Sequence, residues 1–207
     1  MKNIGILLSG RGSNFVAIAE SIEAGRIKNA RISVVISNKP DALGIEVARQ
    51  RGLEAIVIPS KGRVREEHDA EVVAALKEHY VDLVCLAGYM RLLSPEFVRA
   101  FPNRILNIHP SLLPAFPGLD AQKQAFDYGV KISGCTVHFV DEALDHGAII
   151  VQRTVPVLDT DDDHSLAERI LEQEHMAYSE AIDLVLNHDL GIQGRRVLTR
   201  SSIRSGN

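Results

Sequence analysis

Short apolar segments alternate with longer amphipathic segments along the first half of the chain. The long segments place apolar residues at helical spacing, as Phe15, Ile18, Ala19 and Ile22 do. Near-continuous apolar strands separated by helices are typical of a parallel sheet that is covered on both faces. The predicted strands are Ile4–Leu8, Ile32–Ile36, Ala55–Ile58 and Leu83–Ala87, and the predicted helices run from Ser13 to about Gly25, from Asp41 to Gln50 and from Arg65 to His79.

In the second half of the chain, a loop around residues 88–93 leads to a short helix. That helix begins at Ser94-Pro95, because proline is favoured in the first helical turn. Prolines make the segment after His109 rigid and non-helical. The other predicted elements are strands Arg104–His109, Ile132–Val140 and Ala148–Val157 and helices Leu119–Tyr128 and His164–Asn187. The pattern therefore predicts an α/β fold: a mostly parallel twisted sheet with helices on both faces.

One domain is expected over residues 1–190. A chain of 207 residues with 45% hydrophobic and 24% charged residues has the composition of a single globular domain. Residues 191–207 combine four arginines with several serines and glycines. We expect this segment to be a mobile basic tail.

Charge and cysteine content narrow the class of protein. The formal net charge is -4, whereas nucleic-acid binding favours a basic surface, so no nucleic-acid partner is expected. Neither a long apolar run nor a signal peptide is recognised, so we expect no membrane partner and a cytoplasmic location. Cys85 and Cys135 lack CxxC spacing, and the histidines and acidic residues lack metal-ligand spacing. We therefore expect neither a disulfide framework nor a metal.

The glycine-rich segment Gly10–Asn14 lies between the first strand and the first helix. Glycines let a ligand approach the backbone closely, and free N–H groups at a helix start bind anions. The dinucleotide fingerprint would need glycine where Phe15 stands, so the segment fits one phosphate better than two. The alternative is that these glycines only turn a strand into a helix.

Asn107 and His109 alternate with apolar residues at the end of a predicted buried strand, so their side chains point to one face. An amide beside an imidazole suits stabilisation of an oxyanion that develops on a carbonyl under attack. The alternative role of His109 is a bond to backbone carbonyls of the proline-containing loop. A carboxylate beside the ring would orient it, and spacing leaves both Asp141 and Asp145 open for this role.

Glu174 lies in the middle of the apolar face of the last predicted helix. A buried carboxylate needs a partner, because its desolvation is costly. A hydroxyl or amine of a ligand is one candidate for this partner. An internal arginine is the other.

Several motifs together resemble those of the phosphoribosylglycinamide formyltransferase family. They are Gly10–Asn14, Leu86–Arg91, Asn107–Pro114 and Gly134–Asp141, followed by Asp145, Gly147 and Gln152. The resemblance implies a Rossmann-like formyltransferase fold with an antiparallel C-terminal strand. It also implies direct transfer of the formyl group of 10-formyltetrahydrofolate to the amine of glycinamide ribonucleotide. By the same resemblance, Asn107 and His109 would stabilise the tetrahedral oxyanion, and Asp145 would support His109 and position a water that relays the proton.

The resemblance also implies the binding residues and a nucleotide-binding part over about residues 1–100, with a folate and catalytic part over about 100–190. The nucleotide phosphate would lie on Gly12, Ser13 and Asn14, and Glu174 would bind the ribose hydroxyls. No metal is implied. The implied folate contacts are Arg65, Met90, Arg91, Leu92, Leu93, Asn107, Asp141, Glu142, Ala143 and Leu144.

Three other functions are weighed against this one. Formyltetrahydrofolate deformylase and methionyl-tRNA formyltransferase share the Asn-His-Asp trio but carry an added domain, for which we expect no room here. A non-catalytic nucleotide-binding protein would use the glycine loop alone and leave the trio without a role. Leu171 and Ala115 stand at positions where some relatives carry polar residues. Neither residue belongs to the trio. The sequence leaves monomer and homodimer open.

Overall fold

The structure of the chain is a computed structural model that describes residues 1–199. None of the helices in this range combines the length and apolar character needed to cross a membrane. Every strand and helix predicted from the pattern is present, with small shifts at the ends. The strands are β1 Lys2–Leu8, β2 Ala30–Ser37, β3 Ala55–Val57, β4 Leu83–Leu86, β5 Ile105–His109, β6 Ile132–Phe139, β7 Ile149–Pro156, β8 Leu190–Gln193 and β9 Arg196–Thr199. The helices are α1 Ser13–Glu23, α2 Leu43–Gln50, α3 Arg65–Glu78, α4 Pro95–Ala100, α5 Ala121–Tyr128 and α6 Asp163–Asn187.

These strands form one sheet in the order β3-β2-β1-β4-β5-β6-β7-β9-β8. The first five strands in this order run parallel to one another. β6 is antiparallel to both β5 and β7. The predicted fold class, a mostly parallel sheet with an antiparallel C-terminal part, is confirmed.

The two faces of the sheet bury separate apolar clusters. Ile4 and Ile6 of β1 belong to the cluster that contains residues of α1, α2 and α6, whereas Leu7 belongs to the cluster that contains residues of α3 and α4. Side chains alternate between the two faces of a strand, so both clusters receive residues from the same strand. Because both faces are covered, successive residues of β1 are apolar, and the period-two alternation of a half-exposed strand is absent.

Residues 190–199, where the sequence analysis placed the end of the domain and the start of a tail, contain two further strands of the sheet. β9 joins the sheet beside β7, and β8 pairs with β9 as a hairpin. Gly194, between the two strands, has a φ of 59°, a left-handed conformation that glycine adopts without steric cost. These strands have four residues each and include polar residues, so their apolar signal in the sequence is weak. The last part of the predicted tail, residues 200–207, lies outside the described residues.

The carboxyl ends of β1, β4 and β5 meet at one edge of the sheet, because the three strands are adjacent and parallel. The glycine loop follows β1, the loop of residues 87–94 follows β4, and the proline-containing loop follows β5. Ligands of α/β proteins bind at this edge. The fold therefore gathers three of the segments that the sequence analysis selected.

Replacement of Gly134 by alanine tests the close contact between β6 and β7. A Cβ at this position would overlap the carbonyl oxygen of Arg153 and lie 2.9 Å from Cδ2 of Leu112. We expect Gly134→Ala to lower the free energy of unfolding by about 2 kcal/mol or more, because backbone atoms must shift. Urea unfolding followed by circular dichroism measures this change.

Gly10→Ala is the matched control, since no heavy atom lies within 4 Å of a Cβ at Gly10. Its stability should stay within about 1 kcal/mol of the parent's, the usual cost or gain of a glycine-to-alanine change without a clash. Equal unfolding midpoints for Gly134→Ala and the parent would contradict the expected overlap.

Candidate active site

Two polar residues of β5 and two of β6 face one another across the antiparallel pair. The register places Asn107 opposite His138, and His109 opposite Thr136. Asn107 is half-buried, and the other three side chains are buried. Because side chains alternate along a strand, Asn107 and His109 share one face, and the pairing adds the two residues of β6 to that face.

Asp145 reaches this face from the turn between β6 and β7. Its Oδ2 lies 3.5 Å from Nδ1 of His109 and accepts a hydrogen bond from the backbone N–H of Gly118 at 2.8 Å. Asp141, by contrast, lies on the exposed side of the turn, where its Oδ2 is 2.9 Å from Nδ1 of His146. Spacing left both aspartates open as the partner of His109, and the structure brings Asp145 to it.

The second ring nitrogen of His109 contacts the proline-containing loop. Nε2 lies 2.9 Å from the carbonyl oxygen of Phe116. Both ring nitrogens therefore face acceptor oxygens, one on the loop and one on Asp145. The loop contact that the sequence left as the alternative role of His109 is thus present together with the contact to Asp145. The Nδ1 contact is the longer one, so the Nδ1 proton is the more available to a reacting group.

His138 belongs to this cluster, although the sequence analysis did not select it. Its Nδ1 lies 2.8 Å from the carbonyl oxygen of Phe139, and its Nε2 lies 3.3 Å from Nδ2 of Asn107. Burial lowers the pKa of His138, so the ring is neutral at pH 7: Nδ1 donates and Nε2 accepts. The lone pair on Nε2 accepts a hydrogen bond from the amide nitrogen of Asn107, and this bond fixes the orientation of the amide group. One feature of the sequence could have indicated it: Thr136 and His138 alternate with apolar residues on a predicted strand, so their side chains share one face.

Hydrogen bonds tie the proline-containing loop to the sheet. Thr136 Oγ1 donates to the carbonyl oxygen of Ser111 at 2.7 Å and accepts from the backbone N–H of Leu113 at 3.0 Å. Gln152 of β7 donates to the carbonyl oxygen of Leu113 at 2.9 Å. The backbone around His109 is therefore held by side chains of the two strands that follow.

The glycine loop meets α6 at a second cluster of polar atoms. Gly12 precedes α1 with a φ of 78°, and Ser13 begins the helix. Nδ2 of Asn14 donates to Oε2 of Glu174 at 2.8 Å, and Glu174 is only 7% exposed. Burial raises the pKa of Glu174, and the bond from Asn14 lowers it by less. The partner of Glu174 in the described residues is thus an amide rather than the arginine considered as an alternative.

One atom of this second cluster lacks a partner. Oδ1 of Asn14 is buried and accepts no hydrogen bond within residues 1–199. Buried acceptors without partners are rare in folded proteins, and a ligand that donates a hydrogen bond would satisfy this one. The arrangement therefore favours a binding role for the glycine loop over a purely structural turn.

The other predicted binding residues lie in three segments. Met90, Arg91, Leu92 and Leu93 form the loop between β4 and α4, where Met90 is 63% and Leu92 is 56% exposed. Residues 141–144 form the turn that leads to Asp145, and Leu144 there is 56% exposed. Arg65 is the first residue of α3 and forms an ion pair with Glu66. The exposed apolar side chains on the two loops provide surface for a flat ligand ring.

A chain of polar contacts connects the glycine loop with the loop after β4. Oγ of Ser9 accepts a hydrogen bond from the backbone N–H of Met90 at 2.8 Å and donates to Oδ1 of Asn38 at 2.5 Å. Asn38, at the end of β2, donates to Ser60 at 3.0 Å. Ser9 and Asn38 are both buried. This chain fixes the relative positions of the two loops.

The described residues offer neither a metal site nor an activated cysteine. Among residues 1–199, no three His, Cys, Asp or Glu side chains are grouped so as to hold a metal ion. Cys85 and Cys135 are unpaired and buried, and burial raises both thiol pKa values, that of Cys135 to about 12. These thiols are therefore protonated at pH 7 and are poor nucleophiles.

Comparison with known proteins relates this site to one family. Residues 2–182 match the model of a family described as formyl transferase. The crystal structure of glycinamide ribonucleotide transformylase 1 from Symbiobacterium toebii superimposes with a TM-score of 0.92 at 51% sequence identity. That superposition covers 96% of this chain and 94% of the other.

Curated relatives agree with this result. The chain is 44% identical over 177 residues to the phosphoribosylglycinamide formyltransferase of Escherichia coli, covering 85% of this chain and 83% of that protein. It is 50% identical over 188 residues to the trifunctional purine biosynthetic protein adenosine-3 of Drosophila melanogaster. In that case 90% of this chain matches only 14% of the relative, so the chain spans about one seventh of its length.

Replacement of Glu174 by glutamine tests the burial of its carboxylate. The folded-state pKa of Glu174 is raised above its ordinary value of 4.5, so its contribution to stability is present below that value and is lost as pH rises through the folded-state pKa. We expect Glu174→Gln without ligand to be more stable than the parent at pH 7, by about 1 kcal/mol, because a buried charge is removed. At pH 4 the two proteins should have equal stability in urea unfolding.

Glu172→Gln is the control, since Glu172 is exposed on the same helix. Its stability should follow that of the parent at both pH values. A Glu174→Gln variant that is equally destabilised at pH 4 and pH 7 would show that packing, rather than charge, dominates at this position.

Proposed function

Because the chain belongs to the formyl transferase family, we propose that it transfers the formyl group of 10-formyltetrahydrofolate to the amine of N1-(5-phospho-D-ribosyl)glycinamide, a step of purine biosynthesis. The observation that carries the proposal is the cluster of Asn107, His109 and Asp145 at the open edge of the sheet. It lies at the same edge as a glycine loop whose residue Asn14 is bonded to the buried carboxylate of Glu174. An oxyanion site next to a nucleotide site is what this reaction requires.

The nucleotide is assigned to the glycine loop and α6. Free backbone N–H groups at the start of α1, beside Gly12, Ser13 and Asn14, suit the phosphate. Glu174 accepts hydrogen bonds from the ribose hydroxyls. Such bonds offset the desolvation that raises the pKa of its carboxyl group. Ionised Glu174 is then a strong acceptor.

The folate is assigned to the loops after β4 and β6. Met90, Arg91, Leu92 and Leu93 provide one wall of the pocket, and Asp141, Glu142, Ala143 and Leu144 provide the other, with Arg65 and Asn107 adding polar contacts. Exposed apolar side chains in both walls support this assignment. Backbone groups of such loops can bind the polar edge of a flat heterocycle. This pocket would bring the formyl carbon next to Asn107 and His109.

The reaction proceeds by direct attack. The amine nitrogen bonds to the formyl carbon, and the carbonyl electron pair moves to oxygen and forms a tetrahedral oxyanion. One N–H of Asn107 and the Nδ1 proton of His109 stabilise the developing charge. The C–N10 bond then breaks, and the electron pair of the carbon–oxygen bond is restored. The proton lost by the amine reaches the leaving nitrogen through a water that Asp145 positions.

His138 and Phe116 keep the two oxyanion donors in place. Neutral His138 accepts from one N–H of Asn107, which leaves the second N–H for the oxyanion. The carbonyl oxygen of Phe116 holds Nε2 of His109 at 2.9 Å, so the Nδ1 side of the ring is turned toward Asp145. Donors that are oriented before the substrate arrives cost no reorganisation during the reaction.

Location and assembly complete the proposal. Two unpaired cysteines fit a reducing compartment, and we assign the chain to the cytoplasm. The net charge of -4 supports small-molecule partners rather than nucleic acid. The chain acts as a monomer or a homodimer.

His109→Ala and Asp145→Asn test the oxyanion site. We expect kcat for formyl transfer to fall by about 10³-fold or more in each variant, because the lost interactions act mainly in the transition state. KM for the nucleotide should change by less than about threefold. Steady-state assays with 10-formyltetrahydrofolate and glycinamide ribonucleotide measure both constants.

Asp127→Asn on the exposed face of α5 is the control for loss of a carboxylate, since its side chain is 56% exposed and contacts Lys123. Its kcat should equal that of the parent. Parent-like turnover of His109→Ala or Asp145→Asn would refute the assigned roles.

A comparison of acceptors separates the proposed transferase from the hydrolase. We expect the purified chain to release tetrahydrofolate from 10-formyltetrahydrofolate at least about 100-fold faster with glycinamide ribonucleotide than with water alone, because a bound amine is held at high effective concentration. The assay records formylated product and free formate separately. Formate release at the same rate with and without the nucleotide would identify a deformylase instead.

A further inference from the structure

Asp69 is buried below the loop that joins β4 to α4, and the proposed chemistry does not use it. Asp69 is 1% exposed, and its Oδ2 accepts a hydrogen bond from the backbone N–H of Ser94 at 2.6 Å. A buried carboxylate is costly unless hydrogen bonds and a counter-charge replace water. The short bond to Ser94 is one such replacement, and it is of the strong, charge-assisted kind.

His68 supplies the second contact of Asp69. Its Nδ1 lies 3.4 Å from Oδ1 of Asp69, and its Nε2 lies 2.9 Å from the carbonyl oxygen of Ile58. Both ring nitrogens therefore face acceptor oxygens. The pair therefore links the end of β3 to α3 and, through Ser94, to the loop after β4.

The loop after β4 is held at two points. Near its start, the backbone N–H of Met90 donates to Oγ of Ser9, and at its end the backbone N–H of Ser94 donates to Asp69. Ser94 also caps α4, because its Oγ accepts from the backbone N–H of Phe97 at 3.2 Å. The segment between the anchors carries exposed Leu92 and half-buried Arg91 and Leu93. An exposed loop keeps one conformation only where such anchors hold it.

We infer that Asp69 is a positioning residue for the formyl donor: it holds residues 90–93 in the conformation that binds the folate. The inference rests on the proposed function. Asp69 contacts neither substrate and acts through Ser94. Loss of the anchor lets the loop sample other conformations. The apparent affinity for the folate then falls in proportion to the fraction of molecules whose loop is in the binding conformation. The nucleotide site, formed by the glycine loop and α6, keeps its geometry.

The test uses three substitutions of Asp69 in the full chain. Asp69→Ala removes the acceptor, Asp69→Leu removes it but keeps the branched shape of the side chain, and Asp69→Asn retains an acceptor oxygen for Ser94. We expect the first two to raise KM for 10-formyltetrahydrofolate about tenfold or more, as expected for loss of a hydrogen bond to a charged group. KM for the nucleotide should stay within about twofold, and Asp69→Asn should restore donor KM to within about threefold of the parent.

Asp82→Ala is the matched control. Asp82 likewise accepts a backbone hydrogen bond, from Asn3 at 2.8 Å, but it precedes β4 and so lies at the opposite edge of the sheet from the loop. Its loss should lower stability in urea and leave both KM values unchanged. Hydrogen exchange adds an independent readout: the amides of Met90 and Ser94 should exchange faster in Asp69→Leu than in the parent or in Asp82→Ala.

Binding of tetrahydrofolate, measured by titration calorimetry, separates this inference from the proposed function. A parent that binds tetrahydrofolate but transfers no formyl group would refute the function, and weaker binding by Asp69→Leu would still support the anchor. Folded Asp69→Leu with unchanged donor KM and unchanged tetrahydrofolate affinity would overturn the inference. An equal rise in both KM values would also overturn it, because it would show a general structural role.

Discussion

The antiparallel pairing of β5 with β6 is the constraint on which the site depends. β5 ends the parallel part of the sheet, and β6 runs against it in a register that sets Asn107 opposite His138 and His109 opposite Thr136. A shift of this register by one residue would turn the polar side chains of β6 to the other face. The pairing therefore decides which groups surround the imidazole and the amide, and the turn after β6 then delivers Asp145 to the same place.

Neutral and charged groups have separate tasks in this cluster. Burial lowers the pKa of His138 and keeps its ring neutral, so it can orient the amide of Asn107 as an acceptor. His109 lies between the carbonyl oxygen of Phe116 and the carboxylate of Asp145, so each of its ring nitrogens faces an acceptor oxygen. Two histidines on adjacent strands thus have separate tasks because their partners differ.

Each loop of the site is tied by hydrogen bonds to another segment of the fold. Thr136 and Gln152 hold the proline-containing loop, and Ser9 holds the loop after β4. The backbone N–H of Gly118 holds Asp145. The bond between Asn14 and Glu174 joins the first helix to the last, across 160 residues of sequence. A site held in this way meets its ligands already formed, and so loses less conformational entropy on binding.

The sequence by itself determined the order and type of the elements, the class of fold and the shared face of Asn107 and His109, because these follow from local periodicity. It also pointed to the glycine loop as a binding segment. It pointed to Glu174 as well, since a carboxylate on the apolar face of a helix is costly to bury without a partner. It missed the hairpin of β8 and β9, whose short and partly polar strands carry a weak apolar signal and are defined by pairing with β7. Spacing left Asp141 and Asp145 open, the family resemblance named Asp145, and the tertiary structure brings Asp145 to His109. Only the tertiary structure added His138 and placed Asp69 under the loop. Those outcomes depend on strand register and on contacts between residues far apart in sequence, which no local pattern records.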